Sequence, residues 1–309
     1  MHRARLSFLV LTLAMTLAAC GGTAPSEPGS SASAAPPATT AGPSATLAPS
    51  SEAPSAAPTP FGEAADPQAL IDAALATVDD GTVRLLYEVG FLDSTLIPDG
   101  PFLSGRGQAS FGEPRQARLS AEFSGVEFGD WEMIIDDRLL YMRGRVVAQV
   151  VADDTWLLVD LDSDHRSVPD FAEIASGQND SSLALLYLLG ATGDVRVADG
   201  GTIGGVPTRQ YRLSIDLDAA RDRVGSQFAE ALGANIDALA TSGIDQTLQA
   251  DVWLGDGRVV RARYEFVLGR AQGGGRMISS YDFSDFGAPL ELDIPTGDDV
   301  IRLEDAIER

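Results

Sequence analysis

The one thiol of this 309-residue chain is Cys20. Without a second cysteine it can form neither an internal disulfide nor a zinc-thiolate cluster. Every basic side chain apart from the two histidines is Arg, and no Lys occurs, so a Schiff base or lysine nucleophile is excluded. His2 and His165 are the only imidazoles. A histidine metal cluster therefore lacks members, and a Ser-His-Asp arrangement would rest on one residue in a polar loop. Asp160-Leu161-Asp162-Ser163-Asp164 has the alternating carboxylates of a calcium loop. That pattern then requires Gly where His165 stands and a bidentate Glu where Phe171 stands, so an exposed acidic turn is the expectation. Gly204-Gly205 and Gly273-Gly274-Gly275 lack phosphate-loop spacing and a partner Lys, and read as turns. Carboxylates are abundant, yet nothing singles out a pair. No catalytic residue, bound metal or cofactor is expected.

The surroundings of Cys20 point to a different use of the thiol. His2, Arg3 and Arg5 form a charged start, Leu6 to Leu17 an apolar run too short to span a bilayer, and Ala18-Ala19 precede the cysteine. This resembles a bacterial lipobox, in which the thiol takes a diacylglyceryl thioether and the chain is cut before it. Residues 1–19 are then a signal peptide, and Cys20 becomes a lipidated N-terminus on the extracytoplasmic face of the cell membrane.

Formal charge is −23, and loss of residues 1–19 with Arg3 and Arg5 takes it to −25. So acidic a body repels nucleic acid and anionic headgroups, leaving the N-terminal lipid as its hold on a membrane. Residues 20–65 are rich in Ala, Ser, Thr, Pro and Gly, with little to bury, and read as a disordered stalk. Its root-mean-square span as a flexible coil is on the order of 35 Å. Residues 66–309 are enough for a single domain with a sizeable core.

The elements that would position anything in that domain are mostly strands. Asp66-Pro67 starts a helix with the stripe Leu70, Ile71, Ala74, Leu75 and Val78, ending near Asp79-Asp80-Gly81. The period then changes to two at Val83, Leu85, Tyr87 and Val89, and again at Ala117, Leu119, Ala121 and Phe123. Between these runs, Leu103, Gly105, Gly107, Ala109 and Phe111 share one face. Their small size implies either a close neighbour or a cavity. Trp131 to Arg143 reads as a hairpin turning near Asp136-Asp137, and Thr155 to Asp160 as a strand covered on both sides. A helical region is expected from about Pro169, with Asn179 to Ser182 capping Leu183 to Leu189, which is apolar all round. Tyr211 to Leu217 reads as a strand, Asp218 as the cap of a helix closed by Gly233, and Asn235 to Ser242 as a further short helix. Asp256-Gly257 turns a hairpin, and a strand at Met277 to Phe286 precedes an acidic tail. The class is α+β, an antiparallel sheet with helices covering one face.

Several landmarks in order resemble the LppX/LprAFG-type bacterial lipoproteins, relatives in fold of the LolA lipoprotein carriers. They are the N-terminal helix, Leu140-Tyr141-Met142 followed by Thr155-Trp156, the Leu-rich helix, Gly204 to Tyr211, and Val252-Trp253-Leu254 with Asp256-Gly257-Arg258. The resemblance covers about residues 66–295, and its motifs are loose patterns. It implies a strongly curved antiparallel half-barrel with helices across its mouth and an apolar cavity for acyl chains. It also implies a role in moving lipids or lipoproteins in the cell envelope. The long stalk and an insertion from Gly144 to Asp154 depart from it.

Two functions follow. One is a lipid carrier or chaperone whose cavity is lined by Leu103, Ala109, Leu119, Leu185, Leu186, Leu189, Leu213 and Phe266. Its partners are the membrane, through the N-terminal lipid, and a lipid or acylated ligand held by burial of about 0.8 kcal/mol per methylene. The other is a non-enzymatic surface module with a filled core that contacts other envelope proteins.

Overall fold

Period-two runs become strands wherever one parity can be buried, and here the buried parity is shared across one large sheet. The computed structural model describes residues 61–111, 114–124, 129–148, 150–152, 154–163 and 181–307. Cys20, most of the stalk, the Asp164-His165 end of the acidic turn, Phe171, the helical region from Pro169 and the Asn179-Asp180 cap lie outside the described residues.

The strands are β1 (Glu63–Ala65), β2 (Thr82–Leu92), β3 (Gly100–Ser110), β4 (Gln116–Phe123), β5 (Asp130–Asp136), β6 (Leu139–Gly144) and β7 (Trp156–Asp160). After them come β8 (Ala191–Ile203), β9 (Val206–Asp216), β10 (Thr247–Gly255), β11 (Arg258–Val267), β12 (Arg276–Ser284) and β13 (Val300–Arg302). They form one sheet in the order β1-β8-β9-β10-β11-β12-β2-β3-β4-β5-β6-β7-β13. Every pair is antiparallel except β7 with β13. The sheet curls into a half-barrel but does not close, so β1 and β13 remain as edges. Register shifts at Val89/Gly90 and Trp253/Leu254 are bulges of the kind that add local bend.

Helix α1 (Pro67–Asp79) begins as its sequence predicts, with the Gln68 N–H donating to the Asp66 side chain at 2.9 Å. Its buried side is Leu70, Ala73, Ala74, Thr77 and Val78. Leu75, expected in the stripe, is 42% exposed because the helix seats one position further round, with Ala73 and Thr77 inward. The Thr77 hydroxyl accepts from the Val259 N–H at 3.0 Å, and Asp80 takes a two-pronged pair from Arg258, fixing the helix end on the β10–β11 hairpin.

The Leu-rich segment is a short helix α2 (Ser181–Leu186) that tightens into a 3-10 turn at Tyr187–Gly190. Gly190 is needed there because a Cβ would meet the Asp216 carbonyl oxygen at 2.0 Å. Two readings in the next region are corrected. Asp216, not Asp218, caps α3 (Leu217–Arg223), accepting from the Ala219 N–H at 3.1 Å. Helix α4 (Ser226–Thr241) runs through Gly233 without closing there, since Leu232, Ile236 and Leu239 bury one continuous stripe. Strand β8 was not anticipated: its run carries three glycines and only Val195 and Val197 as large buried residues.

The β10–β11 hairpin turns through Asp256 and Gly257, both at positive φ (52° and 76°), as the Asp-Gly signal requires. Strand β7 is covered on both sides. Leu157 and Val159 join the main core, while Trp156 and Leu158 pack with Ile134 and Tyr141 under Leu292, Ile294 and Val300. The tail is therefore more than an acidic extension: it supplies that cover, an edge strand and helix α5 (Leu303–Ile307).

Candidate functional site

The inner face of the sheet is one apolar surface. Ala109, Leu119, Leu185, Leu186, Leu189, Leu213 and Phe266 are all buried in a single cluster, and Leu103 packs half-buried against it. The structure thus brings together every residue proposed from the sequence to line a cavity. Helices α1 and α2 and the turn after α2 pack on one another and on α3, and meet the sheet mainly at β8, β9 and β11. The remaining inner strands contribute Leu85, Phe91, Phe123, Met133, Ile135, Leu140 and Met142 to the same cluster.

The small residues of β3 are filled by their neighbours. A Cβ on Gly105 would lie 2.3 Å from Tyr87 Cζ and 2.5 Å from its hydroxyl; one on Gly107 would lie 2.3 Å from Leu119 Cδ2. The glycines thus make room for cross-strand side chains lying over the strand.

Polar atoms on this face divide into two groups. The Tyr264 hydroxyl, on a residue with no exposed surface, donates to the Ala184 carbonyl oxygen and ties β11 to α2. The Tyr187 hydroxyl donates to Asn235 Oδ1 on α4, and its ring stands edge-on to Tyr264 at 5.7 Å. By contrast, the Tyr87 hydroxyl and the Trp131 indole N–H are buried and, among the described residues, have no hydrogen-bond partner. A buried donor left unpaired costs about 1–3 kcal/mol. Burial pushes the Tyr87 and Tyr264 phenols up, and that of Tyr281 up to about 12, so all three stay neutral donors near neutral pH.

On the opposite face the charges pair across strands. Arg212 grips Asp251 with its Nε at 2.8 Å, Arg261 grips Asp282, and Arg276 reaches Asp93 at 2.9 Å. These pairs range from half-covered to solvated, and they hold neighbouring strands in register. Among the described residues no group of three His, Cys, Asp or Glu side chains is placed to hold a metal ion.

Sequence reasoning missed two features. One is an open groove of about 620 Å³ between α1 and the β9–β11 end of the sheet, bordered by Ala69, Ala73, Ala76, Pro207, Tyr211 and Leu254. Its signal was small residues spaced along one side of α1. The other is the unpartnered state of Tyr87 and Trp131. Both were legible as inward strand residues, but their lack of partners depends on the whole fold.

No protein-family model matches the chain, and no curated protein matches it. Among solved structures it is similar to LprF from Mycobacterium bovis, at 14% identity over 76% of this chain and 100% of that one, with a TM-score of 0.43. It is also similar to a DUF1329 family protein from Desulfovibrio piger, at 12% identity over 76% and 96% of the two chains and a TM-score of 0.25. A third is a domain described as an outer membrane lipoprotein-sorting protein from Vibrio parahaemolyticus, at 8% identity over 73% and 95%, with a TM-score of 0.24.

Proposed function

We propose that this chain is a lipoprotein held by Cys20 on the extracytoplasmic face of the cell membrane. Its half-barrel takes up acyl chains of a lipid or acylated protein, as a carrier or chaperone in the envelope. No covalent chemistry on the ligand is part of this reading. The supporting observation is the inner face: one apolar surface shared by strands on both sides of the β12–β2 pairing, with two buried donors that find no partner among the described residues. Buried donors without a partner are uncommon in a purely structural core, and the acceptor of a ligand on this face would satisfy them. Binding would come from apolar burial, with the eight named residues supplying part of the wall.

No helix among the described residues is long and apolar enough to cross a membrane, so anchoring is assigned to the thioether on Cys20. The test is organic extraction and mass spectrometry of the full chain carrying Cys20→Ala, purified without harsh detergent. Acyl lipid at near-stoichiometric yield supports the carrier. A lipid-free protein favours a surface module with a filled core, a reading that Tyr87 and Leu119 lying over Gly105 and Gly107 also supports.

A further inference from the structure

Tyr87, Gly105, Ala121 and Trp131 lie in one cross-strand row, each directly opposite the next across β2, β3, β4 and β5. Directly opposed residues share a face, and all three non-glycine members belong to the same buried cluster. The Tyr87 ring crosses Gly105, bringing its hydroxyl to within 2.5 Å of where a Cβ would stand. Beyond Gly105, only Ala121 separates it in the row from Trp131. Tyr87 and Trp131 are 9% and 5% exposed. Among the described residues, the other buried side-chain atoms without a partner are Arg221 Nε on α3 and Gln272 Oε1 in a turn, neither on this face.

From this row we infer that Tyr87 and Trp131 form a two-donor subsite for the carbonyl oxygen of an acyl group, over Ala121 in the wall of the half-barrel. The inference rests on the acyl-binding reading above and adds which atoms the ligand must present. Two neutral donors select an acceptor, and a carbonyl oxygen has two lone pairs to receive them. Arg106 and Arg118 have the opposite parity on β3 and β4, so no cation on those two strands shares the face to compensate an anion. A water would accept both bonds but leave its own hydrogens in an apolar wall. An acyl ester or amide has the missing acceptor and apolar chains attached to it.

The experiment uses the full chain carrying Cys20→Ala and measures binding of 1,2-dipalmitoylglycerol and of its ether analogue, 1,2-dihexadecylglycerol, which lacks the carbonyls. The expected result is a preference for the ester of about tenfold. Adding Tyr87→Phe and Trp131→Phe together should bring the ester-to-ether ratio to within about twofold. A dipalmitoylated cysteine peptide is the third probe: preference for it assigns the carbonyl to an acylated protein, and preference for the glyceride to a free lipid. Equal binding of ester and ether by the parent, or an ester preference that survives both substitutions, overturns the subsite and leaves the carrier standing. Binding of no probe overturns the carrier itself. Because Trp131→Phe also removes ring volume, Tyr87→Phe alone is melted without ligand. An unchanged or higher Tm is expected, and a fall of several degrees would mean the hydroxyl is bonded within the protein and the subsite is wrong.

Discussion

Tyr264→Phe removes one oxygen from the centre of the molecule and should be expensive. The residue has no exposed surface, and its hydroxyl donates to the Ala184 carbonyl at the joint between β11 and α2. Phenylalanine keeps the ring and its edge-on contacts with Tyr187 at 5.7 Å and Tyr281 at 6.3 Å, so little packing is lost. What is lost is the bond, and the Ala184 carbonyl loses this partner inside the core. That asymmetry costs about 1–3 kcal/mol. For a domain of this size each kcal/mol moves Tm by about 2–4 °C, so a fall of about 2–12 °C is expected. The matched control is Tyr87→Phe, an equally conservative change at a buried phenol of the same face that has no partner to lose. Calorimetry of the two variants beside the parent, with unfolding checked for reversibility, reads the difference directly. Equal Tm values for the two variants would refute the division of this face into satisfied and unsatisfied donors.

Three further outcomes are expected. Asp216→Ala should lower stability by about 1 kcal/mol through loss of the α3 cap, with Asn restoring most of it, while Asp218→Ala should be near neutral; denaturant titration of the three variants decides it. Burial raises the Tyr87, Tyr264 and Tyr281 phenols in the folded state above the ordinary value near 10. Their contribution to stability is therefore complete below pH 10 and is lost as pH rises from 10 through the folded values, so Tm should fall in that window as tyrosinate absorbance appears. If those phenols ionise near pH 10 with the fold intact, their burial is wrong. Cys20→Ala should release the protein from membranes into the soluble fraction, and a variant that still sediments and resists salt would refute the lipid anchor.

What the sequence determined by itself is what depends on near neighbours. Strand parity at Val83-Leu85-Tyr87 and at Ala117-Leu119-Ala121, the Asp66-Pro67 helix start and the Asp256-Gly257 turn are set by side-chain alternation and backbone preference within a few residues. The same locality made the apolar wall readable as a list of residues. What only the tertiary structure decided is who meets whom across long stretches of chain. The pairing of β12 with β2 places Tyr281 opposite Tyr87, nearly two hundred residues apart, and the tail returns as β13 to cover β7. β8 exists because β9 and β1 pair with it, against the weak strand preference of its glycines. Asp216 rather than Asp218 became the cap because β9 ends at Asp216 and the backbone enters α3 at Leu217. Whether a buried hydroxyl is satisfied is the most global of these properties. Tyr264 finds a carbonyl eighty residues away and Tyr87 finds none, although both look the same along the chain: a phenol on the inward side of an alternating strand.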